Sequence, residues 1–358
     1  MNRSKILLST STLAGAAVGT VAAWATLPAG TPPVRSKHKG AQSIAGLEPI
    51  EIGGVKQWLL QRGADVANPI LLFIHGGPGI SQMVLNRANT APLEQYFTVV
   101  NWDQRGAGKS HKAIHDKAGM NIPQFVSDLG EVAQHLLCKF GKQRLTLVGR
   151  SWGTAIGMLA VAKYPELFHA YVGIGQLTDV LESEKASYRW ALEQALAAKD
   201  RDAIHELSEM GAPPYSGNWL EKFIAERKYI CRYGGEVWGN SHGSNLKIAR
   251  SVLWGQEYNI ADRVSFFHVA KQSLRLLQPQ LMKVNLFQEV PEVKVPIFFI
   301  AGRHDHVVPQ SVAHRYYEAL KAPHKEWHWF EESAHMPDFE EKEKFQKFLV
   351  ERVRGLSV

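Results

Sequence analysis

Cysteine is nearly absent. Cys138 and Cys231 are the two thiols in 358 residues, too few for a disulfide framework or a tetrahedral zinc site. Cys138 falls in a stretch that reads as a buried helix and Cys231 in a helical middle segment, so two unrelated thiols are expected rather than a bridge. Acidic side chains are missing before Glu48, while Arg3, Lys5, Arg35, Lys37 and Lys39 all precede it. Those five cations leave only +2 of the formal +7 to the rest of the chain. The pI of about 9.2 is therefore a property of the N-terminal end. No basic stripe interleaved with aromatic residues follows, which excludes a nucleic-acid face. Internal repeats are lacking too, and nothing after residue 40 is of low complexity.

What is present starts with a leader. A basic start, Arg3 to Lys5, precedes an Ala/Leu/Val/Gly stretch from Ile6 to Leu27, and Ala23-Trp24-Ala25 stands before Pro28. That order reads as a secretory signal peptide cleaved after Ala25, with a periplasmic or secreted location. Ser9-Thr10-Ser11-Thr12 interrupts the stretch, whose remainder is Ala/Gly-rich, so membrane attachment through residues 6–27 is the alternative. The expected divisions are 1–27 leader, 28–47 linker, 48–180 first part of a core, 181–289 helical cap, and 290–358 second part of the core.

Apolar residues make up 45% and charged residues 21%, an ordinary globular composition. Short apolar runs alternate with helical patterns. Strands are expected at 55–62, 69–75, 97–103, 144–149, 170–175, 296–301 and 326–330, with helices at 124–140, 155–163, 311–320 and 342–353. This alternation predicts an α/β fold with a mostly parallel sheet covered by helices on both faces. From about Leu181 to Glu289 the pattern turns helical, aromatic and charged, as expected for an inserted cap.

Ser151 is the centre of the chemistry. It stands in Gly149-Arg150-Ser151-Trp152-Gly153, between the apolar run Leu145–Val148 and an apparent helix from Thr154. A sharp strand-to-helix turn needs small flanking residues and pushes the hydroxyl outward as a nucleophile. A serine nucleophile needs a base, and the base needs an orienting acid. Asp305 and His335 each follow an apolar run, in the order Ser, Asp, His. The plainer reading of Asp305 is a cap for a helix near Gln310, and His304 and His306 flank it as rival bases. Two backbone N–H groups must face the developing oxyanion. Trp152 offers one, and Gly77 in His75-Gly76-Gly77-Pro78-Gly79 the other, with Gly76 as the substitute. Gly106-Ala107-Gly108-Lys109-Ser110 looks like a phosphate loop, but Asp103 stands where its first glycine belongs. Arg105 is expected to brace neighbouring loops and Lys109 to lie in solvent.

These segments resemble the α/β-hydrolase superfamily and, within it, the proline iminopeptidase-like (prolyl aminopeptidase) branch. The resemblance is carried by His75–Gly79, Asp103-Gln104-Arg105-Gly106, Gly149–Gly153 and Gly302-Arg303-His304-Asp305. It implies an α/β-hydrolase fold with an eight-stranded-type sheet, a Ser151/Asp305/His335 triad, an oxyanion hole at Gly77 and Trp152, and no metal or organic cofactor. The branch also binds the substrate ammonium through cap glutamates, often in a Trp-Glu pair and a Glu-Asn-His-Tyr-like segment. Here Trp190 is followed by Ala191, and Phe266-Phe267-His268 has no Glu-Asn before it. Glu182, Glu184 and Glu193 are the carboxylates left for that task, with Gly76 and Trp190 as further substrate contacts.

The function expected is a serine hydrolase that cleaves an ester or amide through an acyl-enzyme. Its partner would be a small molecule or short peptide, with release of an N-terminal proline or small residue. An esterase or lactonase on a small apolar ester is the alternative, and a non-catalytic ligand-binding protein with this fold is a third reading. Epoxide hydrolase or dehalogenase chemistry would need a carboxylate at position 151.

Overall fold

The computed structural model describes residues 29–239 and 245–357. Eight strands form one sheet in the order β1-β2-β4-β3-β5-β6-β7-β8. An antiparallel hairpin of β1 (Ile44–Ile52) and β2 (Val55–Gly63) leads into the sheet, and β2 pairs antiparallel with β4 (Thr98–Asp103). From there β3 (Ile70–Ile74), β5 (Leu145–Arg150), β6 (Phe168–Ile174), β7 (Ile297–Gly302) and β8 (Lys325–Phe330) run parallel. Every residue of β3, β4, β5 and β7 is buried, as continuous apolar strands require when helices cover both faces. Alternate residues enter separate cores. Leu72, Ile74 and Leu147 join one, and Leu71, Phe73 and Val148 join the other.

Short helices and loops follow the strands. α1 (Met83–Thr90) lies between β3 and β4, α2 (Ile122–Phe140) after β4, and α3 (Trp152–Lys163) after β5. α2 starts where the Asn121 side chain accepts Gln124 N–H at 2.9 Å and stops at Gly141, whose φ is 61°. Its buried face repeats as Phe125, Leu129, Val132 and Leu136. Cys138 lies on the opposite side of this helix and is exposed, so the expected buried position is corrected. Cys231 is half-buried, and both thiols are free.

The cap is inserted between β6 and β7. It comprises α4 (Val180–Ala197), α5 (Arg201–Met210), α6 (Trp219–Arg232), α7 (Asn245–Trp254), α8 (Ile260–Leu281) and the single turn α9 (Leu286–Glu289). Tyr188, Ala191, Ala195, Leu207, Tyr229 and Ile230 give α4 to α6 a small core of their own. α8 opens with a reciprocal cap between Asn259 and Asp262. After β7 come α10 (Gln310–Ala319), and after β8 α11 (Pro337–Glu340) and α12 (Lys342–Phe348), continued by a π turn over Leu349–Val353.

The linker expected at 28–47 ends early, because β1 already begins at Ile44. Its sequence, Ile44-Ala-Gly-Leu-Glu-Pro-Ile-Glu-Ile52, alternates weakly and contains a proline, which an edge strand tolerates. The stretch before it is pinned down as well. Arg62 Nη1 donates to Thr31 Oγ1 at 2.6 Å, and Gly30 N–H donates to Gln256 O at 3.0 Å. Residues 1–28, which hold the expected leader, lie outside the described residues.

Candidate active site

Ser151 occupies the turn between β5 and α3 with φ 50° and ψ −120°, a conformation that a non-glycine residue adopts only under strain. The turn is held by Ser151 N–H donating to Ile174 O at 2.9 Å, and by Thr154 N–H donating to Ser151 O at 2.8 Å. Gly153 is required by contact, since a Cβ there would lie 2.5 Å from Ile74 O. The motif spacing is therefore set by how closely α3 approaches β3.

Asp305 and His335 meet although thirty residues separate them. His335 Nδ1 lies 2.8 Å from Asp305 Oδ2, with both side chains buried. Asp305 Oδ1 accepts Val307 N–H at 3.0 Å and Val308 N–H at 2.8 Å, and Gln310 Nε2 donates to Oδ2 at 3.1 Å. The residue capping α10 is Pro309, so Asp305 shapes its own loop and orients His335 rather than starting the helix. The rival histidines are engaged elsewhere. His304 stacks on Trp238 with ring centres 3.4 Å apart, and His306 stacks on Trp190 at 3.8 Å. Burial lowers the pKa of His306 to about 4, so this ring is neutral.

Ser151, His335, Gly76 and Gly77 line one cavity of about 580 Å³. Gly77 has φ 120°, open to glycine alone. Gly76 N–H donates to Gln82 Oε1 at 3.4 Å, whereas Gly77 N–H makes no hydrogen bond among the described residues. Trp152 opens α3, where an N–H has no partner within the helix.

The Asp103-Gln104-Arg105-Gly106 segment ties these loops together. Gln104 Nε2 donates to His75 O at 2.9 Å, and Gln104 Oε1 accepts Trp152 Nε1 at 2.8 Å. One side chain thus joins the glycine loop to the elbow. His75 Nδ1 faces Gly76 O at 2.7 Å, and burial pushes its pKa down to about 4, so it acts as a neutral strut. Asp103 accepts from Ser81, from Tyr258 and from Lys109 N–H, while burial raises its pKa to about 7. Arg105 braces as expected, reaching Asp128, Asp116 and Gly53 O. Lys109 differs from expectation. It is buried, 2.8 Å from Asp262 in the cap and over the Trp58 ring, because the turn that follows Gly108 points it into α8. Arg150, beside Ser151, is buried and ion-paired with Asp338, so the Ser151 and His335 loops share a charged contact.

The cap reaches the site through its backbone. His306 N–H donates to Gly235 O and His335 N–H to Glu236 O, both at 3.0 Å. Glu340 completes the clamp, accepting Trp238 N–H at 2.6 Å, Ala334 N–H at 3.0 Å and Met336 N–H at 3.1 Å. Glu236 also lines the cavity, and its carboxylate accepts the Cys231 thiol at 2.6 Å. Arg227 lines it too, held by Glu184 at 2.5 Å and Glu226 at 3.3 Å. Burial raises the pKa of Glu184 and brings that of Glu226 to about 7, and Tyr215 donates to Glu226 at 2.8 Å. Of the cap residues expected at the substrate, Glu184 reaches the cavity wall through Arg227. Trp190 packs on His306 and does not line the cavity, and Glu182 pairs with Arg315 on an exposed surface, so both expectations are corrected. Sequence reasoning missed Glu236, Arg227, Gln104 and Glu340. Only Gln104 lay in a motif, and nothing in the local pattern marks the others.

Comparison with known proteins bears on the fold and the family. The model of the alpha/beta hydrolase fold family matches residues 69–342. A probable aminopeptidase of Bacillus subtilis (strain 168) is 37% identical over 313 residues, covering 87% of this chain and 98% of that protein. A proline iminopeptidase of Clostridium botulinum is 26% identical over 294 residues, covering 78% and 87%. Among solved structures, a proline iminopeptidase-related protein of Thermus thermophilus superposes with TM-score 0.63 at 17% identity, covering 88% of this chain and 99% of that one. At that identity the likeness concerns the fold.

Proposed function

The chain belongs to the alpha/beta hydrolase fold family, resembles its proline iminopeptidases, and we propose that it is a serine aminopeptidase acting through Ser151, His335 and Asp305. The single observation that carries the reading is the 2.8 Å contact of His335 Nδ1 with Asp305 Oδ2 beside a cavity that also contains Ser151. Asp305 keeps the proton on Nδ1 and leaves Nε2 as the base. His335 takes the Ser151 proton as Oγ attacks the substrate carbonyl. The oxyanion forms against the N–H groups of Gly77 and Trp152. The C–N bond then breaks, and His335 passes its proton to the departing amine. Water, deprotonated by His335, attacks the acyl-enzyme and frees Ser151.

One carboxylate in the cavity wall, Glu236, suits a free amine on the substrate. The wall also carries Arg150, Arg227, Lys228 and Lys271, of which the first three are paired with Asp338, with Glu184 and Glu226, and with Glu206. Glu236 is the carboxylate among the lining residues that can meet an ammonium group. Ester hydrolysis is the second reading, favoured by the apolar lining of Phe223, Ile224, Ile248 and Phe267. Turnover of proline and alanine arylamides, their N-acetylated forms and short-chain aryl esters separates the two. Arylamide turnover that N-acetylation abolishes is the expected result, and turnover of esters alone overturns the peptidase reading. Fluorophosphonate labelling that disappears in Ser151→Ala tests the nucleophile separately.

A further inference from the structure

Three features meet on α7 and α8. First, α7 and α8 carry a large apolar outer face, with Leu246, Leu253, Trp254, Ile260, Val264 and Phe267 between 48% and 79% exposed. Ile260, Val264 and Phe267 follow one another by four and three residues along one side of α8, opposite the buried Phe266, Val269 and Leu277. Phe267 also lines the cavity, so this face continues into the mouth. An apolar surface of this extent marks an interaction site.

Second, its charge has one sign. Lys247, Arg250, Arg263, Lys271 and Arg275 are at least partly exposed on these helices. The acids between 245 and 275 are Glu257 and Asp262, both buried and paired with Arg87 and Lys109. Third, the chain enters the fold at this face. Gly30 N–H donates to Gln256 O at 3.0 Å, and Thr31 Oγ1 donates to Glu257 Oε1 at 3.1 Å, in the turn joining α7 to α8. The apolar stretch Ile6–Leu27 ends three residues before Gly30.

We propose that the outer face of α7 and α8 docks on an anionic lipid surface, with residues 6–27 attaching the chain to the same membrane and the cavity mouth opening toward it. Apolar side chains flanked by cations settle at the boundary of headgroups and acyl chains, with the cations on the phosphates. Among the described residues no helix is long and apolar enough to cross a membrane, so this contact is peripheral. Attachment at one end brings the face to the lipid at high effective concentration, and a weak face then suffices. The inference is independent of whether an amide or an ester is cleaved.

The test uses the full chain carrying Cys138→Ser and Val264→Cys, labelled at position 264 with an environment-sensitive fluorophore. Vesicles of phosphatidylcholine, or of equal parts phosphatidylcholine and phosphatidylglycerol, carry brominated acyl chains as quenchers. Docking quenches the label strongly on the anionic vesicles and at least fivefold less on the neutral ones. A fluorophore on Cys138 in the otherwise unaltered chain stays unquenched. Lys247→Glu with Arg250→Glu reduces quenching at position 264 at least fivefold while hydrolysis of a soluble substrate is unchanged, which shows that the variant is folded. An unquenched label on vesicle-bound protein overturns the proposal, as does quenching that ignores lipid charge. A label already shielded without vesicles, and exposed when residues 1–27 are removed, also overturns it by giving this face to the chain's own leader.

Discussion

In the hydrolase core, Ser151, Asp305 and His335 stand on loops at the carboxyl ends of β5, β7 and β8 and present side chains. In the cap, Gly235 and Glu236 hold two of those loops with carbonyl oxygens, and Trp190 and Trp238 cover His306 and His304. In the proposed reaction the core thus supplies the reacting groups, while the cap supplies position, cavity wall and charge. The difference teaches where substitutions should act. A core change removes a step of the reaction, and a cap change shifts binding or the geometry of a loop.

The sharpest way to break this division is at the nucleophile. Ser151→Ala is expected to reduce kcat by roughly 10⁵-fold with the fold intact, and steady-state assays beside a thermal melt check it. Asp305→Asn, which inverts the hydrogen bond to His335 Nδ1, is expected to lower kcat about 10⁴-fold. Retention of more than a tenth of wild-type activity would assign the orienting role to another carboxylate.

Cap changes should be smaller and different in kind. Glu236→Gln is expected to raise KM about tenfold for arylamides with a free amine, a loss of about 1.4 kcal/mol, and to leave ester KM unchanged. Equal effects on both substrates would remove the ammonium role. Trp238→Ala uncovers His304 and loosens the loop of Asp305, and a fall in kcat of about threefold at unchanged KM is expected. A change in KM alone would instead make Trp238 part of the cavity.

The smallest effect concerns pH. His306 has a folded pKa of about 4 against an ordinary 6.5. The unfolded chain therefore binds the proton more readily between those values. Stability from this contact is full above pH 6.5 and falls as pH drops toward 4. Solvent screening of a partly exposed ring limits the loss to about 1 kcal/mol. Urea titrations of the wild type and His306→Asn at pH 7 and pH 4 should show that difference, and parallel losses would place the acid response elsewhere.

Legibility follows the same division. The seven expected strands all occur, and β3, β5, β6 and β7 were the plainest, since parallel strands buried on both faces must be apolar. The missed strand β1 lies at the sheet edge, where Gly46 and Pro49 blur the alternation. Ser151, Asp305 and His335 were readable because each follows a strand within a distinctive loop. Glu236 was not, because a carboxylate in a helical segment looks like any solvated one. Lys109 was misplaced for the same reason, as its partner Asp262 lies 153 residues away.

By itself the sequence determined the alternation of strands and helices, the turn around Ser151 and the order of Ser151, Asp305 and His335 along the chain. These depend on local period, on glycine at close approaches and on loops next to strands. Only the tertiary structure decided which carboxylates face the cavity, that Gln104 joins the glycine loop to the turn at Ser151, and that the cap grips His335 by its backbone. Those are contacts between distant segments, and a carbonyl oxygen has no signature in the residue that carries it.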